Sequence, residues 1–253
     1  MPKNILIPIN VAEEDWDVLI VLDACRYDYF KKAYSLFFEG SLKPVISPSY
    51  YTYGWFIEMF KDVYLDDITY ISANPIINSK ISFDALGFKH RFSDVVDVWD
   101  LCWDEKIGTV HPYHVTEVAV NIIKLGFSKY YIIHYMQPHE PYLIFEGLGY
   151  ADKYGSMVVA KNNKFYRKHQ IAMMLKYFRK FPNPLWGRTL FWEVKKILNF
   201  LPSRPMEMVY RLYGIEGLRK AYLYNVILVM YYVYKLISQV LRFNPQTKIV
   251  ITS

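Results

Sequence analysis

Cysteine is nearly missing from this chain. Cys25 and Cys102 are the only two in 253 residues. That excludes a disulfide framework and makes a reducing compartment the default expectation. A signal-peptide pattern is also missing. Met1-Pro2-Lys3-Asn4-Ile5-Leu6-Ile7-Pro8 has neither a long apolar core nor a small-residue cleavage site, so a cytoplasmic location is expected. No apolar run is long enough to read clearly as a membrane span. Residues 221–241 are the most apolar, but Asn225, Lys235, Ser238 and Gln239 interrupt them. The unbroken part, 226–234, falls short of the roughly 20 residues a span needs, and a core helix is expected there. Acidic residues are scarce in one region. From Lys153 to Arg211 thirteen Lys/Arg face only Glu193 and Glu207, a net of +11 within a chain of +6, leaving −5 for the rest. A basic insert on a mildly acidic body points to an anionic partner.

What is present suits a large core. Apolar residues make up 53% of the chain and charged residues 21%, with 24 tyrosines. This excludes disorder and fits one α/β domain spanning 1–253. Residues 17–23 read as a first strand, apolar throughout like a strand covered on both faces. Residues 27–38 read as a helix, 40–49 as a short strand entering a Pro/Ser turn, and 52–60 as a helix with Thr52 as N-cap. Strands are expected at 67–72, 130–136 and 247–252, and helices at 114–125 and 217–241. The alternation of apolar runs and helices predicts a mostly parallel α/β sheet. Residues 150–212 break this rhythm. They are basic, aromatic-rich and interrupted by Pro182, Pro184, Pro202 and Pro205, and read as an inserted helical cap.

Open α/β sheets place ligands beyond the C-terminal ends of their strands. Asp23 stands at such an end, and a cap on the next helix is its purely structural alternative. Thr52 opens a helix, where partial positive charge favours anions and an activated hydroxyl can attack them. Ser49 and Ser47 compete with it in the same turn. His139 lies between Pro138 and Pro141 after a buried strand, a rigid setting for an imidazole. His134, inside that strand, is expected to be a satisfied core histidine. His111 and His114 flank a helix start and read as ordinary. Cys25 is a candidate reactive thiol, with a small buried residue as the alternative. Arg26 and Asp28 are expected to pair.

In this order the residues resemble a family. Val18-Leu19-Ile20-Val21-Leu22-Asp23-Ala24-Cys25-Arg26-Tyr27-Asp28 resembles the first strand and metal aspartate of the alkaline phosphatase/sulfatase superfamily, closest to sulfatase-like proteins of archaea and bacteria. His134-Tyr135-Met136-Gln137-Pro138-His139-Glu140-Pro141-Tyr142 resembles its His-containing loop. Leu218-Arg219-Lys220-Ala221-Tyr222-Leu223-Tyr224-Asn225-Val226 resembles its long helix. Lys248-Ile249-Val250-Ile251-Thr252-Ser253 resembles the strand that leads into an Asp-His-Gly metal motif. The resemblance covers about 1–150 and 215–253. It implies a three-layer α/β/α sandwich and a divalent metal (Zn, Mn, Mg or Ca) held by Asp23 and Thr52. It implies Thr52 as nucleophile on a sulfate or phosphate ester, and His139 as a contact to the substrate anion or a metal. Further ligands are expected beyond Ser253, so this chain by itself is expected to bind metal weakly and turn over poorly.

Two departures matter. Neither cysteine sits in the Cys/Ser-x-Pro-x-Arg pattern of formylglycine sulfatases, and Ala24 stands where sulfatases carry a second aspartate. Both favour phosphate-ester hydrolysis or transfer, including phosphoethanolamine- or glycerophosphate-type transfer to a glycan or lipid. A different class of expectation is a catalytically dead protein that binds polyanions or a membrane surface through Lys/Arg at 161–180. Tyr166, Tyr177 and Phe178 lie among those cations, but no nucleic-acid motif accompanies them, and nucleic acid is not the expected partner.

Overall fold

Residues 10, 12, 14–145, 185–197, 200, 202 and 204–253 are described by a computed structural model. The chain forms β1 (Val18–Leu22), α1 (Tyr27–Ala33), α2 (Thr52–Phe60), β2 (Ile68–Ser72), β3 (Asp94–Asp97), α3 (Val98–Leu101), β4 (Trp103–Asp104), β5 (Thr109–Val110), α4 (Pro112–Leu125), β6 (Tyr130–Tyr135), α5 (Leu185–Ile197), α6 (Pro205–Phe243) and β7 (Ile249–Thr252). Five strands form one parallel sheet in the order β3-β2-β6-β1-β7. β4 and β5 make a small antiparallel ribbon.

Period-two alternation sorts the strand side chains onto two faces. On one, Val18, Ile20 and Leu22 pack with Val115 and Ala119 of α4 and with Val229, Val233, Leu236 and Val240 of α6. On the other, Leu19 and Val21 meet Trp55, Phe56, Met59 and Phe60 of α2, with Phe83, Phe88 and Phe92 behind them. Because both faces are covered, the strands can be apolar throughout. The arrangement is compatible with a three-layer α/β/α sandwich.

Register brings the strand ends level. Val21 pairs with His134 and Thr252, and Ser72 pairs with His134 and Asp97. The turns after β2, β6 and β1 therefore leave from adjacent points on one edge.

Several expectations need correction. The first helix is α-helical only to Ala33, and Tyr34–Leu36 tightens to 3-10 geometry. Residues 40–49 form no strand beyond an isolated bridge at Ile46. Pro44 and Pro48 lack the N–H groups that a ladder needs. β3 and the β4–β5 ribbon were not expected. The long helix begins at Pro205, inside the region read as an insert, and Gly214 (φ 67°, ψ −168°) interrupts it. That conformation suits glycine.

Of the expected cap at 150–212, residues 150–184, 198, 199, 201 and 203 lie outside the described residues. α5 packs on the first part of α6 around Trp192, Val209, Leu218 and Tyr142. There Glu207, fully buried, accepts from Lys195 Nζ (2.6 Å) and Arg211 Nη2 (2.5 Å). Two of the cations counted in the basic segment are thus turned inward onto one carboxylate. Among the described residues one helix, α6, is long and apolar enough to cross a membrane. Its Val226, Val229, Met230, Val233 and Leu236 are built into the core.

Candidate functional site

Asp23 follows β1 directly, and its N–H donates to the Tyr135 carbonyl (3.1 Å), continuing the ladder one step. The chain then turns sharply. Ala24 has φ +58°, a left-handed conformation that costs a non-glycine residue about 1 kcal/mol or more. The turn is held from two distant elements. Tyr222 Oη of α6 accepts from the Arg26 N–H (2.8 Å) and donates to the Ala24 carbonyl (2.8 Å). Ser253 Oγ accepts from the Cys25 N–H (2.9 Å). Surroundings that over-determine a strained turn are a feature of built sites.

The Asp23 carboxylate receives two donors. Asn74 Nδ2 donates to Oδ2 at 2.6 Å. Thr52 Oγ1 donates to Oδ1 at 3.5 Å, the outer limit for such a bond. Asn74 is buried, and its Oδ1 takes the Ile76 N–H (2.8 Å). The amide orientation is thereby fixed, with its NH2 toward Asp23. Sequence reading missed Asn74. Its signal was there: a polar residue two positions after β2, the same kind of place that Asp23 has after β1.

Thr52 is not the N-cap. Tyr51 holds that position with extended backbone and no side-chain cap, and Thr52 is the first helical residue. Its hydroxyl is therefore turned to Asp23 rather than to its own helix. Gly54 makes this helix start possible. A Cβ there would lie 2.6 Å from Ser49 Oγ and 2.7 Å from the Tyr51 ring. Ser49 serves the turn itself. Its Oγ accepts from the Tyr51 N–H (3.4 Å), and its carbonyl accepts from Ser47 Oγ (2.7 Å).

His139 is bound to the Asp23 turn through its backbone rather than its ring. Its N–H is shared by the Asp23 carbonyl (3.1 Å) and the Met136 carbonyl (3.0 Å). Its Nδ1 lies 2.7 Å from the Glu140 carbonyl. A carbonyl only accepts, so Nδ1 carries a proton. Asn225 of α6, itself buried, holds this loop. Its Nδ2 faces the carbonyls of Pro138, His139 and Pro141 (3.5, 3.2 and 3.1 Å), and its Oδ1 accepts from the Leu143 N–H (2.9 Å). Tyr222 and Asn225, three residues apart, thus tie both loops to one helix. Glu140 adds a third tie by accepting from the Met206 N–H (2.7 Å).

His134 is the satisfied core histidine its position suggested. It is buried, with Nδ1 2.9 Å from Tyr70 Oη. Burial pushes its pKa below the ordinary histidine value, against a smaller opposing pull from Asp23. The Tyr70 phenol is pushed well up, by burial first and then by Asp23. Cys25 fits the alternative reading, a small partly buried residue. Burial, with Asp28 adding to it, raises that thiol to about 12, and a protonated thiol is a poor nucleophile. Arg26 and Asp28 do form a two-pronged surface pair (2.9 and 2.8 Å).

Among the described residues, no three His, Cys, Asp or Glu side chains gather as a metal cluster. The donor set is a carboxylate oxygen of Asp23 beside the Thr52 hydroxyl. This fits one side of an oxygen-seeking cation that keeps water ligands. It does not make a closed zinc site, which takes four protein ligands. No family model, curated protein or solved structure matches the chain.

Proposed function

We propose that this chain is a metal-dependent hydrolase of phosphate or sulfate esters, with an alkaline phosphatase/sulfatase-like α/β/α fold, a basic cap and Thr52 as nucleophile. The reading rests on one observation above all: the Thr52 hydroxyl, at the first position of α2, is directed at the Asp23 carboxylate (3.5 Å) on the C-terminal edge of a parallel sheet. An anionic ester at this edge meets the N–H groups that open α2. Thr52 Oγ attacks phosphorus or sulfur, a Thr52 ester forms, and the alcohol departs. Water then releases the inorganic anion. An acceptor hydroxyl on a glycan or lipid in place of water would make the same site a transferase. Asp23 accepts the Thr52 hydrogen bond and orients its oxygen. Asn74 fixes the carboxylate, and the His139 loop closes the edge beside it. Asp23 and Thr52 would hold a divalent cation (Zn, Mn, Mg or Ca), which supplies Lewis-acid polarisation of the ester and a lowered hydroxyl pKa.

The test is hydrolysis of aryl phosphate, phosphodiester and aryl sulfate with each cation added, alongside calorimetric metal binding. Thr52→Ala should reduce turnover to background and leave the fold intact, and Asp23→Asn should weaken metal binding. Turnover that survives Thr52→Ala, or metal binding indifferent to Asp23→Asn, overturns the proposal. The reading as a polyanion binder rests on Lys161 to Lys180, which lie outside the described residues.

A further inference from the structure

The outer face of α6 carries a stripe that the candidate site does not use. Tyr224, Ile227, Tyr231, Tyr234 and Leu241 follow one another at spacings of three, four, three and seven residues. Such spacing keeps them on one side of a helix. All are 36–45% exposed, and the residues opposite them are buried: Val229, Val233, Leu236 and Val240 against the sheet and Val226 against α1. Lys220, Lys235 and Arg242 fall in the same register and are exposed. No acidic residue occurs between Gly217 and Phe243.

We propose that this face of α6 docks the protein flat on an anionic lipid surface. Tyrosine is the residue type that sits at headgroup level, with its ring in the acyl boundary and its hydroxyl in water. Lysine and arginine reach past such rings to anionic headgroups. From Lys220 to Arg242 the stripe runs about 33 Å at helical rise. The helix lies on the surface and does not cross it, because its other face is core. A second copy of this chain fits poorly. Pairing the stripe with itself opposes Lys220, Lys235 and Arg242 with like charges, and like-charge juxtaposition disfavours association. This inference is independent of chemistry at Thr52.

The experiment is vesicle co-sedimentation of the full chain. One set of vesicles is phosphatidylcholine alone and the other is phosphatidylcholine mixed with phosphatidylglycerol. The protein should bind the mixed vesicles and release them as salt rises. Lys220→Gln/Lys235→Gln/Arg242→Gln should weaken binding about a hundredfold, from roughly fivefold per cation. Tyr231→Ser/Tyr234→Ser should weaken binding to the same vesicles without changing the salt dependence. Circular dichroism of each variant should match the parent, since every position is exposed. Equal binding by parent and both variants overturns the proposal. So does binding that only neutralising Lys161 to Lys180 removes, or a concentration-dependent dimer abolished by the tyrosine variant.

Discussion

Asn74 Nδ2 donates to Asp23 Oδ2 across 2.6 Å, while the Ile76 N–H fixes the other end of the same amide. A donor, not a second acid, thus stands beside the carboxylate. The substitution Asn74→Asp would place two carboxylates at that separation, and one of them would have its pKa strongly raised. A group with a raised folded pKa favours the fold while protonated and opposes it as pH rises through that value. The variant should therefore be least stable at neutral pH, recover on acidification toward pH 5, and regain stability at pH 7 when Mg or Ca is added. Urea denaturation at each condition measures this. A variant as stable as the parent at pH 7 would mean the contact is not made.

His134 gives the protein a second pH signature. Its pKa is lowered in the fold, chiefly by burial, so folding favours the neutral ring. The stabilisation is complete above the unfolded value near 6.5 and is lost as pH falls below it. The slope reaches about 1.4 kcal/mol per pH unit until the folded pKa is passed. Denaturant midpoints measured from pH 8 down to pH 5 should fall below about pH 6.5. His134→Gln should flatten that fall, at a general loss of stability because the partner of Tyr70 Oη changes.

Local pattern carried part of this molecule. Apolar runs bounded by turn residues marked β1, β2 and β6, because a parallel strand covered on both faces must be apolar along its whole length; β7, half-buried at the sheet edge, was marked by its Ile-Val-Ile run alone. Asp23 was legible for the same reason, as the polar residue that ends such a run. β3 was not legible, since Asp94-Val95-Val96-Asp97 is short and half-exposed at the sheet edge. The supports of the site were hidden for another reason. Tyr222 to Ala24 and Asn225 to His139 are contacts across 198 and 86 residues. A hydrophobic period shows that α6 has a buried face, but not that two polar residues on it bind loops. Thr52 was read correctly as a helix start but wrongly as a cap. Where its hydroxyl points depends on Asp23, 29 residues away.

Asn225 should be one of the least replaceable residues in the chain. Asn225→Leu keeps approximate volume but removes four contacts at once, to the carbonyls of Pro138, His139 and Pro141 and to the Leu143 N–H. Each buried group left unsatisfied costs about 1–3 kcal/mol. Local relaxation and water entry recover part of that, and an overall loss of about 3 kcal/mol is expected. Amide exchange should rise first in residues 137–143, before the sheet is affected. Asn225→Asp should rescue only the Leu143 contact, because a carboxylate cannot donate to carbonyls.

The Glu207 cluster tests how α5 is attached. Glu207 and Lys195 are both buried, and Arg211 reaches the same carboxylate while its Nη1 donates to the Phe200 carbonyl (2.6 Å). Removing one partner of a buried pair strands the other, at about 3–5 kcal/mol, whereas replacing both with apolar residues of similar size is often neutral. Glu207→Gln should therefore loosen α5 sharply, and Glu207→Leu with both Lys195→Met and Arg211→Met should restore much of the loss. Limited proteolysis reads the result directly, as new cleavage within 185–197 in the single variant and its suppression in the triple. The effect should stop short of the sheet. The α5 cluster reaches past the helix interruption at Gly214 only to Leu218, Ala221 and Tyr222, and the contacts of α6 with the sheet begin at Val229. Loss of the sheet in Glu207→Gln, seen as a single cooperative transition shifted as a whole, would show that α5 and the sheet fold as one unit.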